Sequence, residues 1–155
     1  MTVSIRPIDI PPDGRKRIEG DEPPTVLDLE PEADIRAAGP LHYDVEVQCA
    51  GHELVARGEL RVRVDFTCVR CAQWFETEIR EDEFLRAFSF SREDESVDLT
   101  PDIREAIILR FSSHPVCRPD CKGLCTQCGR DLNKGACDCP APTDERWSGL
   151  DNLEL

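Results

Sequence analysis

The chain has 155 residues, room for one domain of ordinary size with an appended module but not for two full cores. Leu, Ile, Val and Phe fill 38 positions, above the roughly one-fifth share below which highly charged sequences stay disordered. Nineteen basic against thirty-two acidic side chains leave a net charge of −13, which excludes a bulk electrostatic grip on nucleic acid or an anionic membrane and restricts any such contact to a local patch.

The longest apolar run is Ala106 to Leu109, and the first residues lack a charged-then-apolar leader pattern. The expectation is a soluble, cytoplasmic protein without a membrane role. In a reducing compartment its nine cysteines call for metal, catalysis or burial rather than a disulfide framework.

Residues 1–40 hold seven of the twelve prolines, and Glu19 to Asp34 carries seven acidic residues with no Lys or Arg. This composition predicts an extended, acidic, Pro-rich arm, with a short strand at Val3 to Ile8 ahead of the donor-removing Pro-Pro pairs. From Leu41 the pattern alternates: Leu41, Tyr43, Val45, Val47 and Cys49 share one face, opposite His42, Asp44, Glu46 and Gln48. A turn near Ala50 to Glu53 leads into a second alternating strand. It points Leu54, Ala56, Gly58, Leu60, Val62, Val64 and Phe66 inward and Arg57, Glu59, Arg61, Arg63 and Asp65 outward.

Cys68 and Cys71 then fall at a strand reversal before a third strand from about Trp74 to Arg80. Glu81 to Phe90, with Phe84, Leu85, Phe88 and Phe90, fits helix and strand equally. A helix follows at Pro101 to Phe111, with Thr100 as cap, Pro101 in its first turn, and Ile103, Ala106, Ile107 and Phe111 on the stripe that covers the sheet. Beyond it only Val116, Leu124 and Leu132 offer packing up to Cys139, too little for a segment to hold itself by burial.

The predicted fold class is α+β, mainly β. An antiparallel sheet over 41–116 is covered by one helix, followed by a cysteine-rich zinc module of knuckle or ribbon type at 117–139 and an acidic tail at 140–155.

Eight cysteines form four close pairs: Cys68 and Cys71, Cys117 and Cys121, Cys125 and Cys128, Cys137 and Cys139. Four pairs suffice for two tetrahedral all-thiolate sites, and a gap of two residues lets one tight turn aim two sulfurs at one point. Gly129 after Cys128 supplies the positive φ that such a turn requires. The most self-contained Zn2+ site joins Cys125, Cys128, Cys137 and Cys139. A second joins Cys68, Cys71, Cys117 and Cys121, clamping the sheet turn to the helix end. A rival grouping of Cys117, Cys121, Cys125 and Cys128 stays open.

Cys49 reads as a buried apolar residue, and His42, His52 and His114 stand apart from the pairs. A catalytic zinc needs an open position, whereas all-thiolate sites are closed, so no enzymatic activity and no small-molecule substrate are expected. The other reading of these pairs is a thiol-based redox or metal-delivery protein, in which Arg70 would lower a thiol pKa. Trp74 and Trp147 are candidate contact aromatics, the latter in a tail with Leu150, Leu153 and Leu155.

Cys68-Val69-Arg70-Cys71, a helix, Pro115-Val116-Cys117, Asp120-Cys121-Lys122-Gly123-Leu124-Cys125, Cys128-Gly129, Leu132-Asn133 and Cys137-x-Cys139 together resemble the YceD family, the large ribosomal RNA subunit accumulation proteins of bacteria and plastids. The resemblance runs over about residues 41–139; the arm and the last sixteen residues add little to it. It implies a non-enzymatic cytoplasmic factor in ribosome biogenesis, supporting accumulation or processing of large-subunit ribosomal RNA. Asp131 stands where the family often has asparagine.

The implied partners are the large-subunit RNA precursor or a basic ribosome-assembly protein. Candidate contacts are Arg70 at the knuckle, Arg61 and Arg63 with Arg57 on one strand face, and Lys122, Arg130 and Lys134 with Arg118 in the cysteine module. A basic protein is electrostatically the easier partner for so acidic a chain.

Overall fold

The computed structural model describes residues 3–11, 14–30, 34–91 and 96–140. Its frame is an antiparallel four-stranded sheet in sequential order: β2 (Arg15–Glu22), β3 (Ile35–Ala50), β4 (Glu53–Thr67) and β5 (Trp74–Ser89). A two-residue ribbon, β1 (Ser4–Ile5) with β6 (Val97–Asp98), and one helix, α1 (Thr100–Ile108), complete the regular structure of the described residues apart from two short 3-10 turns. The mainly β, antiparallel, one-helix architecture expected from the sequence is present.

The central hairpin follows the predicted parity. Leu54, Ala56, Leu60, Val62, Val64 and Phe66 of β4 are buried with Leu41, Val45 and Val47 of β3. Each fully buried aliphatic side chain contributes about 1.5–3 kcal/mol relative to exposure. Ala50 pairs with Glu53 across a two-residue turn that opens on Gly51 at φ +64°, a conformation that favours glycine in short hairpins. Gly58 has a separate reason to be glycine: a Cβ there would stand 2.0 Å from the Asp44 carbonyl oxygen.

Residues 81–90, which fitted helix and strand equally, continue β5 to Ser89. An irregularity opposite Glu59 resets the register, so that Leu60 faces Glu81 and Gly58 faces Phe84. The third strand is therefore more than twice as long as expected, at 16 residues, because the bulge breaks its alternation midway.

The N-terminal arm requires a correction. Residues 15–22 are a sheet strand, paired with β3 from Arg15 opposite Gln48 to Glu22 opposite Leu41, and Ile5, Ile10 and Leu27 belong to the core. The prolines bracket β2 rather than interrupt it. As an edge strand it carries mostly charged side chains, which hide its period. The sheet domain thus begins near residue 15, and β3 starts at Ile35 with a register shift between Ala37 and Leu41.

Helix α1 ends three residues earlier than expected, at Ile108. Ile103, Ala106 and Ile107 are buried, and Phe111 packs edge-on against Phe66 with ring centroids 5.8 Å apart. Thr100 is not the cap. The Asp98 carboxylate accepts from Thr100 N–H at 2.9 Å, and the Thr100 hydroxyl accepts from Val3 N–H at 2.8 Å, fastening β1 to the helix start. Arg104 Nε donates to the Leu27 carbonyl at 2.9 Å, tying α1 to the chain after β2. No helix among the described residues is long and apolar enough to cross a membrane.

Candidate metal centres

The sheet and helix place the Cys68–Cys71 turn opposite the segment that leaves α1. Val69 N–H donates to the Pro115 carbonyl at 3.0 Å, and Leu124 N–H to the Arg70 carbonyl at 3.0 Å. This brings Cys68, Cys71, Cys117 and Cys121 together, the inner cluster, while Cys125, Cys128, Cys137 and Cys139 form an outer one. Within each cluster the four sulfurs lie within 4.8 Å of one another. Cys117 and Cys121 side with the sheet turn, not with Cys125 and Cys128.

Thiolates about 2.3 Å from a central ion in a tetrahedron stand about 3.8 Å apart. In the inner cluster Cys68 and Cys121 sulfurs are 3.9 Å apart and those of Cys71 and Cys117 3.8 Å, so these edges already match. Three of the four inner cysteines are buried, whereas Cys128 of the outer cluster is exposed. Either cluster is able to hold a metal ion, and the donor set is compatible with zinc.

The turns that aim the sulfurs are alike. Ala72 N–H donates to the Cys68 carbonyl at 2.9 Å with Ala72 at φ +55°; Gly129 N–H donates to the Cys125 carbonyl at 2.8 Å with Gly129 at φ +71°. The positive φ expected at Gly129 is present. Gly123, at φ +74°, passes so close to the knuckle that a Cβ would lie 3.0 Å from the Arg70 carbonyl oxygen.

Backbone donors set the charge of each cluster. Burial pushes the Cys68 thiol up, but the N–H groups of Cys117, Cys71 and Arg70 outweigh it and bring its pKa down to about 6. Cys125 reaches about 6 through the N–H groups of Cys128 and Gln127. By contrast, burial and then the neighbouring sulfurs push Cys117 up to about 12, and the Cys128 sulfur followed by burial does the same to Cys139. In each cluster some sulfurs are held toward the thiolate, Cys121 with Cys68 in the inner one and Cys125 in the outer, while others are pushed up by burial and by their neighbours, a crowding of negative charge that a bound cation relieves.

The predicted contact arginines are spent mostly inside the molecule. Arg70 Nη1 donates to the carbonyls of Pro119 and Cys121, both at 3.1 Å, so it bolts the knuckle to the module, and no guanidinium effect accounts for the lowered Cys68 pKa. Arg130 donates to the Ala136 carbonyl (3.3 Å), Lys134 lies 3.9 Å from Asp131, and Arg118 pairs with Asp120 (3.4 Å) and Asn133. On the sheet face Arg57 pairs with Glu46 (2.7 Å) and Arg63 with Glu76 (3.7 Å), while Arg61 faces Arg80 across β4 and β5. Lys122 is exposed.

Other singled-out residues have local roles. His42 lies 3.0 Å from Asp21, His52 packs edge-on to Phe90, and His114 meets Ser113. The Arg36 guanidinium sits 4.4 Å above the Trp74 ring, and half-buried Cys49 directs its sulfur at the Pro7 carbonyl. Trp147 and the rest of the tail after residue 140 lie outside the described residues. Sequence reasoning missed Asn133 and Asp131 as structural members of the module. The signals were the Leu132-Asn133 pair after the knuckle glycine and Asp131 in place of the asparagine common in the family that the sequence resembles; neither shows a role in the module, because the loop is short and its neighbours are set by the fold.

The fold and its clusters define a class: a small antiparallel sheet carrying a cysteine module with two candidate tetrathiolate metal centres. Residues 82–154, a little under half of the chain, match the family described as large ribosomal RNA subunit accumulation protein YceD, and this match supports membership of that family. The match begins inside β5 and extends through the tail, so it leaves Cys68 and Cys71 outside and includes final residues that the sequence reading had set aside.

An uncharacterized protein of Mycobacterium tuberculosis is 44% identical over 57 residues, 37% of this chain and 28% of that protein. The chloroplastic YCED homolog 1 of Arabidopsis thaliana, named a large ribosomal RNA subunit accumulation protein, is 35% identical over 65 residues, 41% of this chain and 20% of the relative. An uncharacterized protein of Mycobacterium leprae is 25% identical over 112 residues, spanning 52% of its length. The chain therefore spans only about a fifth to a half of these curated relatives. No solved structure matches.

Proposed function

We propose that this protein is a non-enzymatic ribosome-biogenesis factor, supporting accumulation of large-subunit ribosomal RNA, whose cysteine module is held by structural Zn2+ at both clusters. The observation that carries the reading is the pair of four-sulfur clusters, each with its sulfurs within 4.8 Å of one another and the inner one with two edges of tetrahedral length, the outer one wholly within the segment matched by the YceD family. When bound, zinc supplies a closed four-thiolate anchor. The chain's own residues do the rest: backbone N–H groups hold the sulfurs, and Arg70 fastens the Cys68–Cys71 turn to the Cys117–Cys121 segment.

A basic assembly protein is the favoured partner. Net charge is −13, each Zn(Cys)4 centre adds about −2, and most module cations are already bonded to carbonyls or carboxylates. Few are left for phosphates. The decisive experiment combines native mass spectrometry of purified protein with binding to a large-subunit precursor RNA fragment and to isolated large-subunit proteins across a salt series. Two zinc ions per chain, capture of a basic protein, and RNA binding that is absent or loses only one or two phosphates' worth of salt dependence support the proposal. A chain free of zinc, with one fast-reacting thiol, would support the redox reading instead.

A further inference from the structure

Asn133 lies between Cys128 and Cys137, inside the loop that the outer cluster closes, yet its side chain is built into the inner cluster. Its Nδ2 donates to Cys121 Sγ (3.5 Å) and to Asp131 Oδ1 (2.8 Å); its Oδ1 accepts from Lys122 N–H (2.9 Å) and from Arg118 Nη2 (2.8 Å). Both donors and both lone pairs of the amide are used. Turning the amide over would set its oxygen against a carboxylate and a sulfur, so the orientation is forced.

The same loop is pinned to the inner knuckle by its backbone. Leu132 N–H donates to the Gly123 carbonyl at 2.9 Å, and Leu124 pairs with Asp131 as an isolated antiparallel bridge. None of residues 129–136 is buried, so apolar packing does not order this loop. Its shape rests on these hydrogen bonds and on the joining of Cys125 and Cys128 to Cys137 and Cys139 at its two ends.

We infer that Asn133 is a positioning residue for the inner centre, donating to the Cys121 sulfur from outside the coordination sphere, and that metal loading of the outer cluster organises the loop presenting it. The two centres then fill cooperatively. This rests on the metal reading proposed above. An outer-sphere donor of this kind is worth roughly 10- to 100-fold in metal affinity. Because the coupling is a difference in binding free energy, it acts equally in both directions: filling the inner cluster tightens the outer one by the same factor.

Co2+ is a suitable probe, since tetrathiolate cobalt absorbs strongly, and native mass spectrometry counts the ions. Titrations of the full chain are compared with C125S/C128S, which removes the outer centre, with C68S/C71S, which removes the inner, and with N133A and N133D. N133A deletes the donor to sulfur without adding charge; N133D keeps acceptors for Lys122 N–H and Arg118 but also sets a carboxylate oxygen against Asp131 and the sulfur, and should lose at least as much; circular dichroism shows whether each variant keeps its sheet. Expected is a drop of about tenfold or more in inner-centre affinity in C125S/C128S and in N133A alike. Combining the two changes should add little, because both act through one bond. Unchanged inner affinity in either variant, or fully additive losses, overturns the coupling while leaving the metal reading intact. Failure of the unmodified chain to bind any ion overturns both.

Discussion

Ala72 holds φ +55° directly after Cys71, where the matching turn of the outer cluster uses Gly129 at φ +71°. A left-handed conformation costs a non-glycine residue about 1–2 kcal/mol, partly offset by the smaller entropy an alanine loses on folding. Ala72→Gly should therefore stabilise the metal-loaded protein by about 0.5–1 kcal/mol, measured as a shift in the urea midpoint at fixed zinc. A loss of stability would mean that the turn is not strained at Ala72. Residue pairs such as Cys68 and Cys71 or Cys125 and Cys128 were legible because a two-residue gap constrains sulfur positions locally. The inward bonds of exposed Arg70 were not legible. Its carbonyl acceptors on Pro119 and Cys121 lie some fifty positions along the chain, and only the folded register brings them near.

At the scale of elements, strand parity was readable wherever one face is apolar, as in the central hairpin, and unreadable in β2, where charge covers both faces and only Ile18 packs against the core. The bulge in β5 hid for a related reason, since it places a carboxylate on an inward position. Glu81 is 7% exposed there, with Arg110 Nε donating to it at 2.5 Å and Glu83 N–H at 2.9 Å. The Arg110 guanidinium, against the opposing effect of burial, holds the Glu81 carboxyl below the usual carboxylate range. A depressed pKa in the folded state means that this stabilisation is complete above the unfolded-state value, near 4.5, and is lost as the pH falls through the lower folded-state value. Glu81→Gln should cost about 1–3 kcal/mol at pH 7. Denaturant titrations across pH should show the two proteins converging below that range, because the wild type loses there what the variant never had. Parallel pH profiles for the two would remove this pair from the account of α1 docking on β5.

For the whole molecule, two kinds of cohesion meet at Cys68. The sheet, α1 and the N-terminal segments share one apolar core, whereas the buried apolar set of the module consists of Cys68, Cys71 and Cys121 with Phe75, Val116 and Cys117 packed beside them. The grouping of the cysteine pairs was legible as the preferred one, but the rival that joins Cys117 and Cys121 to Cys125 and Cys128 stayed open in the sequence, since the choice depends on α1 ending so that Pro115 meets Val69. It follows that a strong chelator should release the module while leaving the sheet folded. Limited trypsin digestion reads the difference: after chelation, cleavage should appear rapidly at Lys122, Arg130 and Lys134, and the arginines of β3 and β4 should stay protected. Readdition of zinc should restore resistance at all three. If chelation exposes the sheet arginines at the same rate, metal and core form one cooperative unit; if it exposes none, the module is held by something other than its sulfurs. The separate response is expected because burial in the sheet needs no ion, whereas among the described residues the module has few buried apolar side chains to replace one.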